Sequence, residues 1–371
     1  MLRIRQLSAI GAGLLLVLVT AVPAQAAGTF LGPLTHVRQL ASTVPANGDV
    51  NPYGIVVVPA RTGRLHKGWV MVSNFNAKSN EQGTGTTLVQ ISPDGSRVQL
   101  FARIDSNKLP GSCPGGVGLT TALAVLRSGW VVVGSLPTTN GTASTAKAGC
   151  LLVLDGNGKV RETITNKKIN GPWDMTAVDH GRTAYLFITN VLNGTVAAKG
   201  RQVNRGTVVR ITLRLPSSSR RVPHALAPVV IGSGFGERSD PAALVVGPTG
   251  VAYDEKTGTL FVADNADNRI SAIPDAAVRM TTAATGADVS ANGHLNSPLG
   301  LVLAPNGHLV SVNGGDGLAV ESTRHGSQVA TRQLDSSGSP AGAGALFGLA
   351  IAPHGHLYFV DDATNMLDLL H

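Results

Sequence analysis

Charge, aromatic side chains and cysteine are all scarce in this 371-residue chain. Charged residues make up 14% of it and aromatic residues 4%, and it contains two cysteines. With hydrophobic residues at 43%, the composition excludes an intrinsically disordered chain, which is poor in apolar residues and rich in net charge. The 45 glycines favour many short strands joined by tight turns over long helices.

Several motifs that would indicate a particular reaction are also absent. The chain has no Gly-x-x-x-x-Gly-Lys motif for a nucleotide phosphate. Ser233 and Ser339 follow glycines in loop-like segments, and neither has the strand-to-helix context of a nucleophile elbow. Neither Cys113 nor Cys150 belongs to a Cys-x-x-Cys pair, and histidines such as His308 fall in predicted turns, so a zinc site is disfavoured.

The first residues have the pattern of an export signal. Arg3 and Arg5 precede an apolar stretch at residues 10–22, and Pro23 leads into small residues around Ala26. The pattern predicts a signal peptide at residues 1–26, a mature chain of residues 27–371 and a secreted or periplasmic location. A retained membrane anchor is the alternative, but the apolar stretch is short for a span of about 20 residues.

The two cysteines, Cys113 and Cys150, form an even pair in a chain that is expected to be exported. Because exported proteins can oxidise their thiols, we expect these two residues to form a disulfide. Closing a loop of this size would stabilise the fold by about 3–4 kcal/mol, chiefly by restricting the unfolded chain. Two separate thiols in loops are the alternative.

Positive charge is concentrated in one part of a chain whose net charge is +8. Between Gly194 and Gly236 there is no acidic residue, whereas the basic residues there are Lys199, Arg201, Arg205, Arg210, Arg214, Arg220 and Arg221. This Lys199–Arg221 cluster could face an anionic polymer or surface, in which case binding would fall steeply with salt. The preferred interpretation is that these residues lie on a solvated face of loops and strands. A nucleic-acid partner is not expected, because no interleaved aromatic residues offer a stacking platform.

A repeated unit organises nearly the whole mature chain. Each copy begins with Pro-x-Gly or a variant of it, and then comes an apolar strand, a turn, a second strand ending in Asp, Asn or Ser, and a third strand. The copies start at Pro52, Leu119, Pro172, Pro248, Pro298 and Phe347. Six units roughly 50 to 75 residues apart predict an all-β protein, a six-bladed β-propeller that forms one domain over residues 27–371.

The ends of the chain suggest how such a ring would close. The last unit supplies only three plausible strands before His371, while residues 35–40 have strand character and no unit of their own. Pairing this N-terminal segment with the last blade would supply its outer strand and remove an exposed sheet edge.

The C-terminal copies resemble NHL repeats. The resemblance is carried by Pro248-x-Gly250-Val251-Ala252-x-Asp254, by Leu260-Phe261-Val262-Ala263-Asp264 and by Asn268-Arg269-Ile270. The full motif occurs only in that fourth unit. The resemblance implies a six-bladed propeller but leaves the function open, because this architecture hosts binding modules, sensor domains, hydrolases and lyases.

One mouth of the channel is the predicted working surface. In a blade of this kind, the starts of first strands and the ends of second strands ring the same mouth. The residues expected to bind a ligand there are Tyr53, Asn74, Thr121, Trp173, Asp174, Asn190, Asp264 and Asp361. Asp174 is the strongest candidate among them, because four other units have glycine at the equivalent position.

The oxygen-rich side chains at this mouth could bind a metal ion. Asp174, Asn190 and Asp264 are the predicted ligands of Ca²⁺ or Mg²⁺, which favour hard oxygen donors. The alternative is structural, because Asp and Asn often end strands by satisfying backbone groups of turns.

Two classes of function remain open from the sequence. The first is a monomeric secreted module that binds a ligand or protein through its top face and central channel. The second is a divalent-metal-assisted hydrolase or lyase acting in that channel, which would need a metal or a convergent acid and base.

Overall fold

The six predicted blades are present in the structure, a computed structural model that describes residues 28–217 and 221–371. The predicted signal peptide and Arg220 lie outside the described residues. The strand that comes first in the chain is β1 (Val37–Ser42), which belongs to the last blade. Blade 1 consists of β2 (Val50–Val57), β3 (Val70–Asn76), β4 (Thr87–Ile91) and β5 (Val98–Arg103).

The other blades follow in chain order. Blade 2 contains β6 (Leu119–Val125), β7 (Val131–Ser135), β8 (Cys150–Leu154) and β9 (Val160–Ile164). Blade 3 is the largest and contains β10 (Pro172–His180), β11 (Thr183–Asn190), β12 (Val203–Arg214), β13 (His224–Ala225), β14 (Val229–Asp240) and β15 (Leu244–Val246). Blade 4 contains β16 (Pro248–Asp254), β17 (Thr259–Asp264), β18 (Arg269–Ile273) and β19 (Ala287–Ala291).

Blade 5 contains β20 (Pro298–Leu303), β21 (Leu309–Asn313), β22 (Leu318–Ser322) and β23 (Gln328–Gln333). Blade 6 contains β24 (Leu346–Ile351), β25 (Leu357–Asp361), β26 (Met366–Leu370) and, outermost, β1. The helices are α1 (Thr195–Ala198) and 3₁₀ turns at Ser106–Lys108, Ala143–Thr145 and Pro353–Gly355. No helix within the described part of the chain is long and apolar enough to cross a membrane.

The first strands of the six blades form a closed ring around the central channel. Each of β2, β6, β10, β16, β20 and β24 contacts the first strand of the blade before it and of the blade after it. The hydrophobic core lies between blades, as where Met71 and Leu88 of blade 1 pack with Val133 and Leu152 of blade 2, all fully buried. Burying one such side chain contributes roughly 1.5–3 kcal/mol, so the stacked blades hold one another in place.

The predicted closure of the ring is confirmed. Strand β1 pairs antiparallel with β26, with Val37 opposite Leu370 and Ser42 opposite Met366. The N–H groups of Thr35 and His36 extend the pairing by donating to the carbonyl oxygen of His371 at 3.0 Å each. The N-terminal segment therefore completes the last blade.

Glycine narrows the channel near its predicted mouth. Four blades carry it at the same level of their first strands, as Gly54, Gly250, Gly300 and Gly348. A Cβ at Gly250 would lie 2.3 Å from the carbonyl oxygen of Leu299 in the next blade, and a Cβ at Gly300 would lie 2.3 Å from that of Phe347. Only glycine lets neighbouring first strands approach this closely.

The two cysteines are bonded. Cys113, in the connection from blade 1 to blade 2, forms a disulfide with Cys150 at the start of β8, and their Cα atoms are 5.4 Å apart. Because the bond ties this connection to the third strand of blade 2, it fixes part of the predicted mouth. No free cysteine is present among the described residues.

Candidate functional site

The ends of the second strands lie where the sequence places them, beside the starts of the first strands. Pro52 pairs with Asn74, Pro172 with Asn190, and the other four blades repeat this register. In every blade the register shifts just after this pair, as a β-bulge does. Both sets of residues therefore belong to one face of the ring, which we call the top face.

The second-strand ends are packed inside the blades. Asn74 is fully buried, and its amide nitrogen donates to the carbonyl oxygen of Thr43 at 3.0 Å and to Oγ1 of Thr87 at 3.2 Å. Asp361 is 3% exposed and accepts the N–H of Thr364 at 3.2 Å. Such hydrogen bonds are expected if Asp and Asn at these positions end the strands by satisfying polar groups of the turns.

Each of the predicted metal ligands Asp264 and Asn190 has one hydrogen-bonded atom, while its other polar atom, Oδ1, is buried with no partner among the described residues. Asp264 accepts from Nε of Arg269 at 3.0 Å, while Asn190 is fully buried and its amide nitrogen lies 3.4 Å from the carbonyl oxygen of Ile188. Burial and the charge of Asp267 raise the pKa of Asp264 to about 6 against the opposing effect of Arg269. Across residues 28–217 and 221–371, no three His, Cys, Asp or Glu side chains are grouped so as to hold a metal ion.

The centre of the top face is closed by the chain itself. Residues 240–246, which run from the last residue of β14 through β15 and which we call the cork, contact the first strands of blades 1 and 3 at the top face. Tyr53 donates its hydroxyl to the carbonyl oxygen of Ala242 at 3.2 Å, and Trp173 donates its indole N–H to that of Val245 at 3.0 Å. Gln82 donates its amide to Pro241 and Ala242 at 2.8 and 3.1 Å. Tyr53 and Trp173 therefore bind the cork.

Aromatic packing fixes this closure. The ring of Tyr53 stacks on Phe347 with centroids 3.8 Å apart and on Phe75 with centroids 4.4 Å apart. Burial, followed by the charge of Asp362, raises the pKa of the Tyr53 phenol well above its usual value. The hydroxyl is therefore held protonated, as a donor to the cork.

On the side of the ring away from the cork, the first strands line a cavity of about 240 Å³. Its wall is built from the later residues of the six first strands, including Val57, Val125, Ala177, Leu301 and Ile351. Solvent reaches this end of the strands, because Val57, Ala177 and Ile351 are partly exposed. The channel is therefore a well that is closed at the top face and open at the opposite face, which we call the bottom face.

Asp174 is the one ionisable side chain among the described residues that line the well. One carboxylate oxygen accepts the N–H of Met175 at 2.8 Å and the other accepts the N–H of Val251, in blade 4, at 3.1 Å. Burial raises the pKa of Asp174 to about 7, although these two hydrogen bonds act in the opposite direction. A carboxyl group with this pKa changes charge near neutral pH.

The sequence-predicted site residues therefore fall into three groups. Asp174 lies in the well, whereas Tyr53 and Trp173 hold the cork. The others are buried where the blades join the top face: Asn74, Thr121, Asn190, Asp264 and Asp361. Sequence reasoning missed the cork and Gln82, and the signal that could have indicated them is the extra length between the third and fourth repeats.

The basic cluster does not form one patch. Lys199, Arg201 and Arg205 are exposed near the start of β12, and Arg214 is exposed at its other end, about 30 Å from Arg205 along an extended strand. Between them Arg210 is 6% exposed and donates to the carbonyl oxygen of Ala276 at 3.2 Å. The described residues thus place this charge at two separate places.

Solved structures resemble this chain along most of its length. A gluconolactonase from Xanthomonas campestris is 13% identical with a TM-score of 0.50, over 86% of each chain. A streptogramin B lyase is 14% identical with a TM-score of 0.52, over 91% of this chain and 97% of the other. A calcium-binding protein, regucalcin from Agrobacterium tumefaciens, is 13% identical with a TM-score of 0.52, over 89% of this chain and 94% of the other.

The fold is the six-bladed β-propeller. At identities this low the likeness establishes the fold alone. Neither a protein-family model nor a curated protein matches the chain. The propeller is thus shown, with structural neighbours among gluconolactonases, streptogramin lyases and regucalcin, while the resemblance to NHL repeats stays a prediction.

Proposed function

We propose that this protein is a hydrolase or lyase whose reaction takes place in the well, with Asp174 as its general acid–base group. The observation that carries the proposal is a single carboxyl group, with a pKa of about 7, in a cavity otherwise lined by apolar side chains and Thr176. General acid–base catalysis works best when the group changes charge near the working pH. Perturbed carboxyl groups in clefts are characteristic of functional sites.

Asp174 can perform a complete proton cycle alone. In ester or lactone hydrolysis, its carboxylate takes a proton from water as the water oxygen bonds to the carbonyl carbon. The protonated carboxyl then returns that proton to the leaving oxygen as its bond to carbon breaks. The gluconolactonase and the lyase among the structural neighbours support these two reaction classes for a ring of this shape.

The Ca²⁺ or Mg²⁺ predicted at this channel does not fit its residues. The first strands present Tyr53, Thr121, Trp173 and Thr249 near the top of the channel, and Asp174 is the one carboxylate that the described lining adds to them. Hard cations need several oxygen donors at one point. We therefore derive no step through a metal here, although one structural neighbour is described as calcium-binding.

A pure binding role is the second candidate, favoured because no second ionisable side chain is among the described residues that line the well. It predicts that ligands occupy the well without being converted. Export of the chain stays part of the proposal, and the Cys113–Cys150 disulfide supports it, because disulfides persist in oxidising compartments.

Replacing Asp174 with asparagine should lower kcat by about 10²–10⁴-fold, because the amide cannot exchange a proton. We would follow acid release from p-nitrophenyl acetate and γ-butyrolactone with a pH-stat. Wild-type activity should rise with a midpoint near pH 7, since the ionised form is the base.

The matched control is Asp179→Asn, because Asp179 lies on the same strand but accepts the N–H of Arg127 at 2.9 Å and does not line the well. This variant should keep wild-type activity, and EDTA should leave the rate unchanged. Full activity in Asp174→Asn, or complete loss of activity with EDTA, would refute the proposed mechanism.

A further inference from the structure

We infer that ligands reach the well from the bottom face of the ring, and that the well accepts small molecules with one protonated amine. The inference rests on the same carboxyl group as the function proposed above, Asp174, and an amine bound there would compete with an ester or lactone substrate for it. It adds the direction of access and the chemical class of ligand.

The top face does not admit a ligand, because the cork is part of the core. Ala243, Leu244, Val245 and Val246 are at most 4% exposed and pack in the same cluster as Tyr53. Leu244 has φ of 62°, and the N–H of Val245 bonds the carbonyl oxygen of Ala243 at 2.7 Å across it. A non-glycine residue in this conformation is sterically unfavourable, so packing holds the segment closed over the channel.

Exposure along the first strands changes from one end to the other. At the top, Thr249 and Phe347 are fully buried and Leu299 is 3% exposed. At the bottom, Val57 and Ala177 are partly exposed and line the well. The path from solvent to Asp174 therefore runs along the later halves of the first strands.

The chemistry of the lining selects the ligand. Each carboxylate oxygen of Asp174 accepts one backbone N–H and retains a second lone pair. No cationic side chain is among the described residues of the lining, so an ammonium group from the ligand would pair with the partly exposed carboxylate. A carboxylate or phosphate ligand would instead add like charge.

The size of the well limits the ligand further. A cavity of about 240 Å³ is smaller than the roughly 300–1,000 Å³ of pockets for drug-sized molecules. Residues such as Val125, Leu301 and Ile351 line it, together with polar backbone groups of the first strands. A single small ring or short chain bearing the amine matches this space.

The direction of access can be tested with thiol labelling. The native cysteines are bonded to each other, so a new cysteine is the one free thiol of the described chain. We would compare Ala177→Cys, at the bottom, with Leu299→Cys, at the top, using methanethiosulfonate ethyltrimethylammonium. The bottom thiol should react at least about tenfold faster, and equal rates or faster labelling of the top thiol would overturn the assigned entrance.

The ligand class can be tested by calorimetry with three isosteres: cyclohexylammonium, cyclohexanol and cyclohexanecarboxylate. Cyclohexylammonium should bind most tightly, and Asp174→Asn should weaken it by about tenfold or more, because a charge-assisted bond is lost. Equal binding of the alcohol or acid, or an unchanged affinity in Asp174→Asn, would overturn the assignment. Asp179→Asn is the control.

The two proposals can fail separately. If Asp174→Asn abolishes ester or lactone hydrolysis but cyclohexylammonium does not bind, the ligand class is wrong and the catalytic role stands. If the ammonium binds through Asp174 but no hydrolysis occurs, the ligand class stands and the well is a binding site.

Discussion

Replacement of Glu321 with alanine should lower the free energy of unfolding by about 3–5 kcal/mol, since it removes a buried charge from a network of donors. Glu321, in β22 of blade 5, is fully buried. One oxygen accepts the N–H of Phe30 at 2.8 Å and the other accepts that of Leu31, also at 2.8 Å. Asn306 Nδ2 and His308 Nδ1 lie 2.9 and 2.6 Å from the first oxygen.

This network anchors the chain just before the closing strand. Phe30, Leu31 and Leu34 are at most 8% exposed and pack between blades 5 and 6. Burial alone would raise the pKa of Glu321, but the backbone and side-chain hydrogen bonds outweigh it and lower the pKa. The carboxylate therefore stays ionised and stabilises the fold until the pH falls through its lowered pKa.

Denaturant unfolding at pH 7 would measure this loss, with Glu255→Ala as control. Glu255 is exposed, so its removal should change stability by less than about 0.5 kcal/mol. Hydrogen exchange would localise the effect, because the amides of Phe30 and Leu31 should lose protection in Glu321→Ala. Unchanged protection of those two amides would contradict the anchoring role.

Replacement of Asp368 with asparagine should raise the free energy of unfolding by about 3 kcal/mol at pH 8 and by little near pH 4. Asp368, in β26, is 2% exposed, and one of its oxygens has no hydrogen-bond partner among the described residues. Burial, with the charges of Asp361 and Asp335 in addition, raises its pKa to about 7.

The direction of this pH dependence follows from the difference in proton binding between the folded and unfolded states. Between the unfolded pKa of about 3.9 and the folded value near 7, the folded protein binds a proton that the unfolded chain releases, so stability falls as pH rises. Asparagine carries no charge to desolvate and should flatten that part of the pH profile. Asp275→Asn, at an exposed position, controls for the loss of one charge. Parallel pH profiles for wild type and Asp368→Asn would disprove the assignment.

Sequence repetition was sufficient to predict the ring and its closure. Six copies of one unit require six stacked sheets, and the unpaired segment near Val37 had one incomplete blade to join. Both features depend on hydrophobic alternation and turn residues, which are local properties of the chain. The pairing of Val37 with Leu370 agrees with that reasoning.

Only part of the candidate site could be predicted from the sequence, because its contacts join residues that are far apart in the chain. Asp174 could be singled out, since it interrupts a row of glycines. Its protonation depends on burial and on the N–H of Val251 in the next blade, which no repeat pattern encodes. The cork could not be predicted either, because an aromatic residue at the start of a strand can contact a ligand or support a loop, and the sequence does not distinguish the two.

The titration of Asp174 would show whether the well holds a group that can exchange a proton at neutral pH. Carbon-13 NMR of aspartate-labelled protein would follow its carboxyl carbon, assigned by comparison with Asp174→Asn. The Asp174 carboxyl group, which has no other ionisable side chain beside it among the described residues of the lining, should titrate with a midpoint near pH 7. A midpoint near 4, as for an ordinary solvated aspartate, would show that the well does not create the acid–base group on which this account depends.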